Sequence, residues 1–463
     1  MKRSLPDGAT DIGQSRSQKK QKKKKKKQRK FDVTKYRQRY VALHIAYFGH
    51  KYRGFASQSE TKETVENYLF EALTKTCLIV DRKSSSYSLS GRTDAGVSAV
   101  GQVVSLYLRS KQRALCEDGK DTHEEQLLPR HEELDYVNML NRLLPTDIKV
   151  LGWSDIPSHF SARFSAVSRV YRYYFPKRRL NIGKMRRAAQ SFIGEHDFRN
   201  FCKMNVVAVS NFKRKIFKFD ISKVKRDADE NTAEAEHADC ENDMYMFEIE
   251  GTAFLWHQVR MMTAVLFMIG SAKEEVNLVS KLLDINAHPR RPQYNMSDES
   301  PLVLYKTNYT EVAFSTTENS MKWLLNHYEN LWYEYSIKAC MMREFISVAK
   351  GAYHSSSATS NGPSHALASS HVENDNSHMF SRVSDYIAGH ENHGRYVNLL
   401  DRATALSYEE RISNLSEKRL EERNRLKNQG ALNKKNGVVS ERERAIQGRD
   451  GAAINNSKNS GSK

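Results

Sequence analysis

The sequence predicts an α+β fold with mixed sheets, flanked by two tails that cannot build a core. Three observations predict it. Strand-like and helix-like apolar segments alternate through the middle of the chain, and then the same types recur. Apolar residues are 39% of the 463 and charged residues 28%, which suits folded domains diluted by polar segments. The formal net charge of +19 is concentrated at the N-terminus, where residues 1–30 hold thirteen basic and two acidic side chains. Residues 31–350 are nearly balanced, with 45 basic against 40 acidic.

Several classes are excluded. The longest apolar run, Met261 to Gly270, falls well short of the ~20 residues a membrane span needs. The expectation is therefore no membrane association, and the first residues hold no apolar stretch of signal-peptide type. Cys77, Cys116, Cys202, Cys240 and Cys340 are odd in number and scattered. That argues against a disulfide framework or a cysteine zinc site and for a reducing compartment.

The elements follow in order. Residues 1–39 read as a disordered Lys-rich tail, with Lys19–Lys30 almost pure cation. A solvated tail, a nuclear localisation signal and an RNA tether all fit it. Tyr40–Phe48 reads as a buried strand. Gly49 and Gly54 bracket a turn, and Thr64 caps a helix with Val65, Leu69 and Leu73 on one face. Ser86–Leu89 and Gln102–Leu108 read as strands, the second with Val104, Leu106 and Leu108 on one face. Residues 117–135 carry eight acids and read as an insertion plus a helix start; a helix then runs from Asn138 to Leu144. Val167–Phe175 is a Tyr-rich strand, Asn181–Phe192 a helix, and residues 227–243 an acidic, solvated insert. Met244–Ile249 returns as a strand and Phe254–Ile269 as an apolar-faced helix.

Residues 318–350 give the clearest helix. Leu324, Tyr328, Leu331, Tyr335, Ala339, Met342, Ile346 and Ala349 form one stripe, read as a buried packing face rather than an RNA contact. Residues 351–463 read as a largely disordered tail, with a charged helix near 407–427. The irregular histidines between His354 and His393 do not read as a metal site.

The stretch richest in chemistry is Ser90-Gly91-Arg92-Thr93-Asp94-Ala95-Gly96-Val97-Ser98-Ala99-Val100-Gly101-Gln102. One carboxylate sits among three glycines, with a guanidinium two residues before it. On residue types alone, Asp94 is either a reactive group or the cap of its own Asx turn. Gly91-Arg92-Thr93-Asp94-Ala95-Gly96 and the residues through Val104 resemble the catalytic motif of the TruA family of tRNA pseudouridine synthases. Phe160–Ala166 with Arg169-Val170-Tyr171-Arg172-Tyr173 resembles the second motif of that family, and Gly251–Arg260 the third. The resemblance spans roughly residues 40–315.

The resemblance implies two ferredoxin-like domains, 40–157 and 158–317, around a central basic cleft. It implies Asp94 as nucleophile, Tyr171 stacked on the target base, Arg260 paired with Asp94, and Arg92 helping to extrude the nucleotide. Arg163, Arg169 and Arg172 are possible phosphate contacts, and Arg163 and Arg172 are counted with Tyr171 and Arg92 as substrate-binding. His257 reads as a packed histidine rather than a catalytic one. Breaking the N1–C1′ bond, turning the base and rejoining C5 needs no redox change, so no metal and no cofactor are expected. The chemistry does need an ionised carboxylate in a dry pocket, acting as nucleophile or as base at the sugar. Glu195–Met204 is similar to the eukaryotic subgroup acting on positions 38 and 39. The implied partner is the anticodon stem-loop of tRNA, with monomer and homodimer both open, and the implied location is nucleus, cytoplasm or both. Two rival readings are a synthase acting on other tRNA, snRNA or mRNA uridines and a non-catalytic tRNA-binding chaperone.

Overall fold

Nine strands form one sheet in the computed structural model, which describes residues 31–114, 127–224, 243–359 and 396–435. The Lys-rich block, residues 117–126 and 227–242 of the two acidic inserts and most of the histidine-bearing tail lie outside those residues. The strands are β1 (Tyr36–Tyr47), β2 (Ser88–Leu89), β3 (Ser98–Arg113), β4 (Ile148–Asp155), β5 (Ser168–Pro176), β6 (Gly194–Asp197), β7 (Lys213–Lys223), β8 (Met244–Gly251) and β9 (Leu302–Asn308). Their order is β4-β1-β3-β9-β5-β8-β7-β6, and β2 also pairs with β3. Every pairing is antiparallel except β3 with β9, so the sheet is mixed as expected.

The last strand joins the two halves. β9 pairs in parallel with β3 through Ser98 and Ala99, and antiparallel with β5 from Ser168 to Tyr173. Gly101 is what lets it approach. A Cβ there would lie 2.4 Å from the Tyr305 carbonyl oxygen and 2.5 Å from the Lys306 Cα. The Thr307 hydroxyl donates to the Gly101 carbonyl at 2.9 Å, which fixes the register.

Helices α1 (Val65–Lys75) and α2 (Tyr136–Asn141) pack on β1, β3 and β4 around Leu43, Leu69, Leu106 and Leu140. Helices α3 (Ile182–Gln190), α4 (Gln258–Gly270) and α5 (Leu278–Leu283) pack on β5, β7 and β8 around Phe175, Phe192, Phe247 and Leu266. Tyr171 packs against both clusters.

Several expectations need correction. Asp135 and Glu133 end the acidic stretch read as an insertion plus a helix start; Asp135 supplies that start, whereas Glu133 belongs to the buried structure rather than to a solvated insertion. Asp135 caps α2 by accepting from the Asn138 amide. Glu133 is buried and accepts from the Ser110 hydroxyl, the Lys111 and Leu134 amides and the Arg39 guanidinium. Arg39 also pairs with Asp155, so a buried cation recruits acids from two segments. Asp243, at the end of the second acidic insert, is likewise buried and pairs with Lys223. Charge density alone does not separate a solvated acid from one beside a buried guanidinium.

The long helix α6 (Glu318–Thr359) is real, but its apolar stripe is buried only at its start. Leu324 enters the N-terminal core and Tyr328 packs against it. Every described side chain from Ile337 to Gly351 is exposed, including Met342 and Ile346 of the expected stripe. At 1.5 Å per residue α6 is about 63 Å long, so it outruns the sheet on which its first turns dock. None of the described helices is long and apolar enough to cross a membrane. The C-terminal charged helix is two, α7 (Tyr408–Ser413), opened by a Ser407–Glu410 capping box, and α8 (Glu417–Lys435).

Candidate functional site

Asp94 lies on the loop between β2 and β3, and this loop is held from three sides. Gln102 is fully buried on β3, and its amide donates to the Gly91 carbonyl at 2.8 Å. The Tyr47 hydroxyl of β1 bonds the Thr93 hydroxyl at 2.7 Å. The 49–55 turn closes the third side: the Phe55 amide donates to the Thr93 carbonyl and the Gly96 amide to that of Tyr52. Gly96 takes a φ of +79°, open to glycine at little cost. The Asp94 carbonyl accepts from the Val97 amide in this turn. Its carboxylate instead faces across the loop to the segment that leads into α4, which decides against a simple Asx turn.

That segment is Thr252–His257. The predicted helix from Phe254 starts only at Gln258, because His257 adopts a left-handed φ of +62° and turns the chain. His257 Nε2 lies 3.5 Å from Asp94 Oδ2. Burial, with Arg260 and Lys203 beside it, pushes the imidazole down to about 4, so it is neutral at pH 7. Burial also raises the Asp94 carboxyl above the ordinary aspartate range, against the pull of Arg260, a hydrogen bond from Trp256, and Lys203. Desolvation therefore wins over the charged neighbours.

Arg260 acts on Asp94 through its charge. Its hydrogen bonds go elsewhere, from Nε to the Ser297 carbonyl at 2.7 Å and from Nη2 to Glu299 at 2.5 Å. The expected direct pairing is thus replaced by a guanidinium shared with a second carboxylate. Glu299 also packs on the Asp94 loop, since a Cβ at Gly96 would lie 2.5 Å from its Cγ. Sequence reasoning missed Glu299, as it sits in a loop with no periodicity.

Tyr171 is half-buried on β5, edge-on to Phe254 with ring centroids 5.0 Å apart. Burial and the nearby Asp94 carboxylate push its hydroxyl up to about 12. Arg169 points to the same face of β5, two residues earlier. Its buried guanidinium donates to the carbonyls of Ser90, Thr252 and Arg163. Those bonds tie together all three sequence motifs, so Arg169 is a positioning residue rather than a phosphate contact. Arg172 points to the other face. It pairs with Glu248 at 2.8 Å and lies 3.4 Å above the Tyr305 ring, away from Tyr171. Alternation along the strand separates it from the other site residues.

Arg92 and Arg163 are both exposed, and they lie close enough for their charges to repel. Arg92 has no hydrogen-bond partner among the described residues. The structure therefore brings Asp94, Arg260 and Tyr171 together, leaves the Arg92 guanidinium open nearby, sets that of Arg163 over the Phe164 ring at 5.1 Å, and turns Arg172 away. No cluster of His, Cys, Asp or Glu among the described residues could hold a metal ion.

A half-buried carboxylate between an aromatic ring and a guanidinium is suited to covalent or base chemistry on a planar, polar substrate. Comparison with known proteins identifies the family. The sequence profile of a family described as tRNA pseudouridine synthase matches residues 188–310. The tRNA pseudouridine(38/39) synthase of Homo sapiens is 43% identical over 320 residues, covering 69% of this chain and 65% of that protein. The protein of that name in Saccharomyces cerevisiae is 40% identical over 292 residues, 61% of this chain and 60% of its own length. The probable tRNA pseudouridine synthase tag-124 of Caenorhabditis elegans is 33% identical over 346 residues, 72% of this chain and 83% of its own length. The chain thus spans somewhat less than two thirds of the first two relatives and most of the third. It belongs to the TruA family of tRNA pseudouridine synthases.

Proposed function

We propose that the protein isomerises uridine to pseudouridine in the anticodon arm of tRNA, at positions 38 and 39, with Asp94 as nucleophile. One observation carries the reading: Asp94 lies beside Tyr171 and within the field of Arg260, in a loop tied to both other motif segments by Arg169. In this reaction the N1–C1′ bond breaks, the base turns, C5 bonds to C1′, and the C5 proton is lost. Asp94 attacks C1′ as N1 leaves with the bond electrons. C5 of the turned base then displaces Asp94 from C1′, so the carboxylate is regenerated, and the proton lost from C5 is balanced by one gained at N1. Partial burial of Asp94 protects the adduct from water meanwhile. The Tyr171 ring holds the detached base. Arg92, with Arg163 beside it, fills the space the uridine leaves and offsets the cost of unstacking. No step needs a cofactor.

The finer architecture is part of the same proposal. Two ferredoxin-like units, 40–157 and 158–317, flank a basic cleft at Asp94; the separate cores on either side of Tyr171 support this. The exposed outer part of the apolar stripe of α6, with Tyr335, Met342 and Ile346, supports a homodimer. A nuclear or cytoplasmic location goes with a tRNA substrate.

The test uses wild type and Asp94→Ala with unmodified tRNA transcripts, mapping pseudouridine at single-nucleotide resolution. Signal at 38 or 39 that vanishes in Asp94→Ala supports the proposal. Signal at other uridines overturns the position, and bound but unmodified tRNA overturns the activity.

A further inference from the structure

We infer that Trp256 is a stacking shelf for the nucleotide next to the target uridine, with Lys203 placed to meet the phosphate of that nucleotide. The inference rests on the RNA substrate proposed above.

The left-handed turn at His257 throws the indole out of the packed segment. Leu255 and Val259 on either side are in the core, at 8% and 5% exposure, whereas Trp256 is 46% exposed. An exposed indole on a surface helix would need no explanation. This one sits beside the Asp94 carboxylate, close enough for its N–H to pull the carboxyl pKa down. It is also held in place. The Lys203 ammonium lies 4.4 Å from the ring centroid, and the Lys203 amide donates to the Trp256 carbonyl at 3.0 Å. The ring is thus fixed by a neighbouring segment, while almost half its surface remains open.

Extruding one nucleotide breaks two stacks, and each flanking base loses a partner face. Tyr171 is half-buried against Phe254 and serves the extruded base itself. Trp256 lies at the open side of Asp94, where a flanking base passes, and an indole is sequence-tolerant because every base has a π-face. A cation already against that ring is well placed for the adjoining phosphate.

The experiment places 2-aminopurine at either flank of the target uridine in a tRNA transcript and follows its fluorescence on binding the full-length protein. Wild type should quench one flank, Trp256→Phe should keep the quench, and Trp256→Leu should lose it. In parallel, an abasic site at that flank should slow wild type about five- to hundredfold, the range of one aromatic–base stack, and slow Trp256→Leu no further. Trp256→Phe, which keeps the ring and loses the indole N–H, should keep the abasic penalty but shift the acid limb of the pH profile upward. Circular dichroism confirms that each variant is folded. An unchanged quench in Trp256→Leu, or an equal abasic penalty in both proteins, overturns the shelf even if pseudouridine is made. A Trp256-dependent quench without pseudouridine supports the shelf and overturns the activity instead. Failure to bind RNA overturns both.

Discussion

Arg169 should control turnover without touching RNA. Its guanidinium spans three carbonyls, at 2.5 and 3.1 Å to Ser90, 3.0 Å to Thr252 and 3.0 Å to Arg163. None of these partners is a carboxylate, so its charge is met by carbonyl dipoles alone. Arg169→Met leaves three carbonyls to find water in a site only 7% exposed. At about 1–3 kcal/mol for each unsatisfied group, less the relief of removing a desolvated charge, the expected loss is about 3 kcal/mol. That corresponds to a drop in Tm of roughly 5–10 °C. The larger effect is catalytic. The three carbonyls belong to the segments carrying Arg92 and Asp94, Trp256 and His257, and Arg163. A shift of ~1 Å among such groups costs about a hundredfold in kcat. The assay is release of tritium from [5-³H]uridine tRNA, with KM and kcat measured from low to moderate salt. We expect kcat to fall while the salt dependence of binding stays as in wild type. Removing a phosphate contact would do the opposite: binding would weaken and the salt slope would drop by about one. That pattern, or turnover within threefold of wild type, would refute the positioning role.

Other predictions follow from neighbouring contacts. The acid limb of kcat should lie above the ordinary aspartate range, because burial raises the Asp94 carboxyl. For stability the sign is the reverse: a carboxyl raised in the folded state loses stability as pH climbs from its unfolded to its folded value. Asp94→Asn should therefore be inactive yet melt higher at pH 7. Glu299→Gln leaves the Arg260 charge uncancelled beside Asp94, so the acid limb should move to lower pH; an unmoved limb would show that Glu299 only fills space. Gly101→Ala drives a Cβ into the β9 backbone and should cost about 3 kcal/mol in urea unfolding, overpacking that backbone cannot relieve. Glu133→Ala leaves the buried Arg39 with Asp155 as its one carboxylate, beside the Leu128 carbonyl, and strips two amides of their acceptor, for a similar loss of ~3 kcal/mol in the same experiment.

Local signals made part of the molecule legible. The helix over Asn181–Phe192 was readable, and Asn181 caps it by accepting from the Lys184 amide, whereas Thr64, read as the cap of α1, holds that position without a side-chain hydrogen bond. The alternation of Val104, Leu106 and Leu108 placed β3, although it gave no hint that Val103 and Ser105 on the other face are buried too. Residues 302–308 were silent, since a strand between two others is defined by partners far off in sequence. The site divided in the same way. Asp94, Tyr171 and Arg260 were legible because motifs carried them, and Arg172 was misplaced because a motif does not show which way a strand faces. Glu299 was invisible because its importance comes from contacts with Arg260 and Gly96, and neither is near it in the chain.

The position of β9 also bears on how the chain is made. Its seam with β3 joins Gly101 to Thr307, 206 residues apart. While the protein emerges N-terminus first, the outer edge of β3 beyond β2 stays unpaired until residues 302–308 have left the ribosome. An open strand edge is a template for pairing with another chain. Closure by so late a segment is also entropically slow. The nascent protein thus passes through an interval of aggregation risk set by its own topology, and a chain truncated before β9 would carry Asp94, Tyr171 and Arg260 and still lack the strand that joins them.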